Sequence, residues 1–281
     1  LVNIQPNEKM QEVNREIIEF AKSGKSEMFG LHLDDKDTSK MLLATTLSAK
    51  AAIDLRLVIE DYEEKEGDSG KLTQVVNNVA ETYLKFDEHK GTQMIFSDLI
   101  ENHNTGFSVY SEIKKQLIEK HHIPADQIAD IRDYNTDVKR ENLFKDMNNG
   151  NVRILMGSTS KLGTGVNAQE RCVAIHHIDV PWTPSSLDQR NGRGVRQGNQ
   201  IAKLYNDNKC DVYFYAVERS LDAYKYQLLE TKSAFINQVK TNSAQSRDCV
   251  EGSGDENEGL SYAEIVAVLS GNPLLLEKSK V

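Results

Sequence analysis

Residues 182–198 have the sequence Trp-Thr-Pro-Ser-Ser-Leu-Asp-Gln-Arg-Asn-Gly-Arg-Gly-Val-Arg-Gln-Gly and follow the apolar run Cys-Val-Ala-Ile-His-His-Ile of residues 172–178. Arg193 and Arg196 are three positions apart, a spacing that places two side chains on one face of a helix. A guanidinium stays charged and offers a fork of donors that fits phosphate oxygens. The stretch therefore predicts a strand followed by a helix whose two arginines could contact one anion.

The alternation of short apolar runs with helical patterns extends in both directions from this stretch. Because such alternation is typical of a parallel sheet covered by helices on both faces, the sequence predicts an α/β fold. Helices are predicted at 8–22, 41–59, 71–86, 109–121, 136–149, 185–194, 218–241 and 262–269, and strands at 93–97, 128–131, 153–157, 172–178 and 211–217.

A glycine-rich turn, residues 157–167, comes directly after the predicted strand 153–157. Its backbone N–H groups and the hydroxyls of Ser158 and Thr159 would lie at the carboxyl end of a strand, the edge at which open α/β sheets bind ligands. Taken alone, the same glycines would equally serve a tight turn that needs positive φ. The turn is thus a candidate binding loop.

Three motifs give the chain a family resemblance. Gln189-x-x-Gly192-Arg193-x-x-Arg196-x-Gly198 resembles motif VI of superfamily 2 helicases in its Swi/Snf-like form, Ser158-Thr159 with Gly163-x-Gly165-Val166-Asn167 resembles motif V, and Met94-Ile-Phe-Ser97 resembles motif IV. The likeness extends from about Ser69 to Pro273. It is nearest to the helicase part of bacterial and phage proteins that carry an adenine-specific DNA methyltransferase. Leu162 stands where a second glycine is common in motif V.

The resemblance implies a RecA-like lobe of the P-loop NTPase type, with a three-layer parallel sheet and helical N- and C-terminal extensions. It would be the second motor lobe of an ATP-dependent DNA helicase or translocase, and its two arginines would accelerate ATP hydrolysis as arginine fingers. The implied catalytic residues are Arg193 and Arg196, the ATP-binding residues Gly163, Gly165, Asn167 and Gln189, and the nucleic-acid-binding residues Ser97, Ser158 and Thr159.

The resemblance also implies cofactors and partners. ATP with Mg²⁺ would bind between two lobes, and the first RecA-like lobe of the same polypeptide would supply the metal ligands and most phosphate contacts. DNA is the implied substrate, and a linked DNA methyltransferase domain is a further implied partner. Since neither Walker element occurs in these 281 residues, the chain alone is expected neither to bind ATP tightly nor to hydrolyse it.

Other interpretations of the motifs remain open. The two arginines could form a solvated basic face, and Ser97 could cap a helix. Gly24-Lys25-Ser26 mimics the end of a Walker A loop, but Glu19 stands where its first glycine belongs, which favours a helix cap. Asp87-Glu88-His89 mimics an acidic magnesium-binding motif without a strand before it, and His176-His177 with Asp179 has no further metal ligand at useful spacing.

Composition sets limits on these expectations. The net charge of −9 argues against indiscriminate binding of nucleic acid, so any DNA surface must be local. The three cysteines have neither zinc-ligand spacing nor an even count, and are expected to be buried or unreactive thiols. No run of about 20 apolar residues is present, and a cytoplasmic location without membrane contact is expected. The start at Leu1, within a helical pattern, suggests a piece of a longer protein.

The sequence predicts three parts: a helical N-terminal extension over 1–68, a RecA-like domain over 69–217, and a helical C-terminal extension over 218–281 that contains an acidic linker at 247–259. The alternative to a motor lobe is a module that binds nucleic acid or a partner protein after losing its ATPase role. The intact spacing of the arginines argues against that alternative, and the acidic charge argues weakly for it.

Overall fold

The computed structural model describes residues 1–34, 37, 39–63, 70–162, 167–240 and 259–271, with backbone alone over 235–240. Its α-helices are α1 Glu8–Ser23, α2 Ser39–Ile53, α3 Lys71–Lys85, α4 Val109–Glu119, α5 Asp137–Asn149, α6 Pro184–Gly194, α7 Gln200–Tyr205, α8 Leu221–Lys240 and α9 Tyr262–Ser270. Its strands are β1 Val2–Ile4, β2 Lys25–Ser26, β3 Leu31–His32, β4 Thr92–Phe96, β5 Glu101–Asn102, β6 Phe107–Ser108, β7 Ile128–Asp130, β8 Ile154–Gly157, β9 Cys172–His177 and β10 Asp211–Val217.

A six-stranded sheet has the order β1-β10-β9-β4-β8-β7. The pairs β10–β9, β9–β4, β4–β8 and β8–β7 are parallel. All residues of β4, β7, β8 and β9 are buried, as expected of parallel strands with both faces covered. The predicted α/β fold with a parallel sheet is therefore confirmed.

The carboxyl end of β8 is held by a glycine and a leucine. A Cβ atom placed on Gly157 would lie 2.6 Å from Leu162 Cγ and 2.8 Å from Ile131 Cγ2, so only glycine fits there. Leu162 is fully buried and belongs to the hydrophobic cluster that contains Met94, Phe96 and Leu155. Leu162 is thus a core residue that packs over the strand end.

The described residues of 1–2, 69–179 and 185–215 form one compact unit, and those of 3–68, 180–184 and 216–281 form a second. In the second unit α1 buries the helical stripe Met10, Val13, Ile17 and Phe20, and it contacts α2 and α9. The Leu260 amide donates to Thr45 Oγ1 at 2.8 Å. Segments from the two ends of the chain therefore build one core.

Helix ends follow the local sequence closely. Gly24 ends α1 with φ of 73°, as the predicted helix cap requires. The predicted helix 41–59 is too long, because α2 ends at Ile53 and the Asp54 carboxylate then accepts from the Arg56 amide to start a short 3-10 helix, Leu55–Leu57. Asp87, one residue beyond the C-cap of α3, is 64% exposed and forms an ion pair with Arg153.

In the described part of the chain, no helix combines the length and the apolar character that a membrane span needs.

Candidate functional site

The three motifs meet at the carboxyl ends of the neighbouring strands β8, β4 and β9. Asp98 follows β4 by two residues, Thr159 follows β8 by two, and Asp179 follows β9 by two. The Asp98 amide donates to Asp179 Oδ2 at 2.6 Å. The Thr159 amide and hydroxyl both donate to the Asp98 carboxylate, at 2.7 and 2.8 Å. The strand ends are thus joined by side chains into one network.

Arg190 of α6 completes this network. Its side chain is fully buried, and it donates from Nε to Thr159 Oγ1 at 2.7 Å and from Nη2 to Asp98 Oδ2 at 2.7 Å. Its Nη1 donates to the Asp179 carbonyl and lies 2.8 Å from Asp179 Oδ1. Burial alone would lower the pKa of Arg190, but the charges of Asp179 and Asp98 outweigh it and raise the pKa. The charged Arg190 side chain therefore connects α6 to the residues that follow β4, β8 and β9.

The predicted nucleic-acid-binding hydroxyls have different environments. Ser97 is fully buried, its hydroxyl donates to the Leu99 carbonyl at 3.3 Å, and its backbone exchanges two hydrogen bonds with the Tyr110 hydroxyl. Burial and the charge of Asp179 raise the pKa of Tyr110. The Thr159 hydroxyl is engaged by Arg190 and Asp98, whereas Ser158 is half-buried and accepts from the Lys161 amide at 3.2 Å. Thr159 is half-buried as well, and Ser158 Oγ also lies 3.1 Å from Ser160 Oγ, so each of the three hydroxyls has a partner.

The helix α6 begins at Pro184, where the fixed φ of proline suits the first helical position. It ends at Gly194, whose added Cβ would lie 2.7 Å from Cys172 Sγ and 2.8 Å from Ile175 Cδ1. The glycine therefore lets the helix end rest directly on β9. Nothing lies within 4 Å of a Cβ added to Gly192.

The two predicted catalytic arginines lie at the end of this helix. Arg193 is half-buried within α6, but the helix ends before exposed Arg196, so the expectation that one helical face carries both is corrected. Partial burial and the neighbouring charge of Arg196 lower the pKa of Arg193. The guanidinium groups are thus close enough to repel each other. A shared anion would relieve that repulsion.

Arg196 also meets one of the predicted ATP-binding residues. Its Nη1 donates to Asn167 Oδ1 at 3.0 Å, which joins motif VI to the end of motif V. Asn167 is exposed, and its carbonyl accepts from Asn148 Nδ2 at 2.7 Å. Gln189 is exposed on α6. Gly163 and Gly165 lie outside the described residues.

An open groove of about 530 Å³ continues from Arg196 along the loop that leads into α7. It is lined by Val195, Arg196, Gln197, Gly198, Asn199, Gln200, Lys203 and Asn208.

The paired histidines of β9 are core residues. His176 lies between Tyr215 Oη at 2.8 Å and Gln93 Oε1 at 2.9 Å, and His177 Nε2 lies 2.9 Å from Asn191 Oδ1 of α6. Burial lowers the pKa of His176 to about 3 and that of His177 to about 4, so both rings are neutral at pH 7. Among the described residues, no group of three acidic, histidine or cysteine side chains could hold a metal.

Sequence reasoning missed Arg190, Asp98 and Tyr110, and it considered Asp179 only as a metal ligand. A usable signal existed, because Asp98 and Asp179 each follow a predicted buried strand. Carboxyl ends of parallel strands share one edge of the sheet. Two carboxylates at that edge indicate a nearby cation. Arg190 directly follows Gln189, a predicted ATP-binding residue, in the sequence.

Comparisons with known proteins support a helicase C-terminal domain as the general class. The family model described as helicase conserved C-terminal domain matches residues 74–198. The defense against restriction protein B of Escherichia phage P1 is 32% identical over 99 residues, which are 35% of this chain and 4% of that protein. The chain thus spans a small fraction of the length of this relative.

A solved structure resembles the fold over most of the chain. The crystal structure of the C-terminal part of the Fun30 ATPase domain has a TM-score of 0.53 and 14% sequence identity, and the match covers 81% of this chain and 89% of that one. At this identity the likeness concerns the fold alone. It agrees with a RecA-like α/β fold, in which a parallel sheet is flanked by helices.

Proposed function

We propose that the chain provides the second RecA-like motor lobe of an ATP-dependent DNA helicase or translocase. In this proposal residues 69–217 form the lobe, and residues 1–68 and 218–281 are its extensions. The match of residues 74–198 to a helicase C-terminal domain supports the general class. The observation that carries the site assignment is the hydrogen bond between Arg196 and Asn167, which joins two motifs at a loop beside the sheet edge.

Arg193 and Arg196 are proposed to contact the triphosphate of ATP across a cleft. The donor set fits such a ligand, because two neighbouring guanidinium groups and the amides of Gln189 and Asn167 match phosphate oxygens. Gly163 and Gly165 would add backbone N–H groups. Mg²⁺ prefers carboxylate and water oxygens, so in this proposal the first lobe holds it.

The arginines would act by stabilising negative charge that grows as the γ-phosphoryl group is transferred. Their orientation would depend on Arg190 and on the contact of Gly194 with β9, since these hold the helix just before Arg193 and the backbone between Arg193 and Arg196. ATP bound between the lobes favours the closed cleft, and hydrolysis removes that preference. Repeated closure and opening would then shift the lobe along DNA.

DNA contact is proposed at the carboxyl ends of β4 and β8. Ser158 would donate to a backbone phosphate, as side-chain hydroxyls commonly do. Ser97 and Thr159 would reach phosphate only by exchanging their present partners, Leu99 and Asp98. With a net charge of −9, any DNA surface is expected to be local.

The decisive experiment compares DNA-stimulated ATPase activity in the complete protein, with its first lobe, between wild type, Arg193→Ala and Arg196→Ala. Loss of an arginine finger is expected to lower kcat by about 10³ to 10⁵. Arg15→Ala is the matched control, because Arg15 is an exposed arginine of α1. Full ATPase activity in Arg193→Ala and Arg196→Ala would refute the motor role and favour the binding module.

The isolated chain offers a second test. Purified residues 1–281 are expected to give no ATP turnover, with or without DNA, because both Walker elements are absent from the sequence. Phosphate release is the measurement, and turnover that survives repeated purification would contradict the proposed division of labour between two lobes.

The biological setting is proposed from the phage relative, whose name connects it with defence against restriction. We extend that connection to this chain as action on DNA in the cytoplasm, in a polypeptide that also carries a DNA methyltransferase domain.

A further inference from the structure

Two cysteines that are distant in sequence come together beneath the end of α6. The Sγ atoms of Cys172 and Cys210 are 3.9 Å apart. Cys172 begins β9, and Cys210 immediately precedes β10, its parallel neighbour. Paired strands are about 4.8 Å apart, and disulfides span Cα separations of about 4.4 to 6.8 Å. The register sets Asp211 opposite Ala174, so Cys210 lies opposite Val173 and diagonal to Cys172. The observation that brings the two thiols together is therefore the contact between their sulfur atoms.

The two thiols differ in access to solvent. Cys172 is fully buried, while Cys210 is partly exposed. Contact with Cys210 and burial raise the pKa of Cys172 well above its usual value, so Cys172 stays protonated. A small reagent in solution would therefore react first with Cys210, because Cys172 is buried.

We propose that Cys172 and Cys210 are an oxidation site that forms a reversible disulfide with a small-molecule disulfide as the oxidant. The Cys210 thiolate attacks one sulfur of the oxidant, which breaks the oxidant's S–S bond and releases one thiolate. That thiolate accepts the proton of Cys172. The Cys172 sulfur then attacks the Cys210 sulfur of the mixed disulfide and releases the second thiolate. Two protein thiols are oxidised, and one small disulfide is reduced to two thiols.

The position of the pair gives the reaction a structural consequence. The Cys172 sulfur supports Gly194, since it lies 2.7 Å from where a Cβ of that glycine would be. The Cys172 carbonyl also accepts from Asn199 Nδ2. Closing the sulfur separation to about 2.05 Å moves the sulfur that underlies the helix end. Oxidation is therefore expected to loosen the segment 194–199, which contains Arg196.

The test uses the folded chain in a Cys249→Ser background, so that only the pair can react. The protein is incubated with glutathione disulfide, quenched with acid, alkylated and digested for mass spectrometry. The expected product is a peptide pair linked through Cys172 and Cys210, with no retained glutathione, and dithiothreitol should restore both thiols. Phenylarsine oxide, which bridges two neighbouring thiols, should bind the reduced protein with one arsenic per chain.

The matched control is Cys210→Ser in the same background, with folding checked by circular dichroism. It should retain neither the cross-link nor the arsenical. A glutathione adduct that persists on Cys210 without cross-linking would overturn the proposal, as would a cross-link that forms only in urea.

Hydrogen exchange gives an independent readout. On oxidation, peptides over 190–203 should exchange faster while peptides over α3 stay unchanged, and equal exchange in both states would refute the proposed effect on α6.

Discussion

Arg190 carries a buried positive charge, and its two counterions follow the ends of two different strands, β4 and β9. Its guanidinium pairs with Asp98 and Asp179 and also donates to Thr159. Removing one partner of a buried ion pair leaves the others uncompensated, which typically costs about 3 to 5 kcal/mol. We expect Arg190→Gln to lower the free energy of unfolding of the chain by that amount, as measured by urea denaturation at pH 7.5.

Arg190→Lys is expected to fall between wild type and Arg190→Gln, because an ammonium keeps the charge but lacks the planar fork. Arg15→Gln is the surface control and should change the stability by less than about 0.5 kcal/mol. If Arg190→Gln matched this surface control, the network would contribute no net stability.

The sequence predicted Arg193 and Arg196 as candidates but not Arg190, and the reason is physical. A motif is a local pattern, whereas the partners of Arg190 lie 11, 31 and 92 residues away along the chain. Contacts over such distances depend on the order of strands in the sheet. That order becomes known only when the fold is known.

At the scale of elements, α6 contains two glycines in different surroundings. We expect Gly194→Ala to destabilise the chain by about 1 to 3 kcal/mol, because the new methyl group would overlap the packed atoms Cys172 Sγ and Ile175 Cδ1. Gly192→Ala meets open space, and alanine in a helix interior should stabilise it by about 0.5 to 1 kcal/mol. Thermal or urea unfolding measures both.

The two variants serve as controls for each other, since they make the same chemical change two residues apart. Opposite signs are expected. Equal destabilisation by both would mean that helix propensity and close packing on β9 do not govern this segment.

Long elements were predictable because their hydrophobic periods extend over many residues, as in α1, α3 and β9. The short elements β1, α7 and the hairpins β2–β3 and β5–β6 were not predicted. A strand of two residues is too short to show alternation. The end of α6 at Gly194 agrees with the predicted helix 185–194, whereas the packing of Gly194 on β9 could not be foreseen from the sequence.

At the scale of the whole molecule, two buried histidines link stability to pH. Their pKa values are lowered in the folded protein, to about 3 for His176 and about 4 for His177, from about 6.5 when unfolded. Below pH 6.5 the unfolded chain therefore binds more protons than the folded one. Their contribution to the free energy of unfolding is nearly constant above pH 7.5. It falls as the pH drops below 6.5, by at most about 1.4 kcal/mol per pH unit for each histidine, until the folded-state pKa of that histidine is reached.

Urea unfolding between pH 7.5 and pH 5 measures this slope. His177→Gln should remove about half of the histidine contribution to the slope. Equal slopes in wild type and His177→Gln would contradict the neutral, buried state of His177.

The helices near the two ends of the chain pack against each other. The sequence predicted separate N- and C-terminal extensions that contain these helices. The sequence did not predict which helices pack together, since α1 contacts α9 across more than two hundred residues. Amphipathic patterns specify that a face is buried, but not against what.

The network around Arg190 has a consequence for how the protein can change over generations. Its acceptors come from three separate stretches of the chain, so no single codon elsewhere can supply a replacement cation with the same three contacts. Selection for recovered function after a change at position 190 should therefore return true revertants and few suppressors, a bias that sequencing of survivors would reveal.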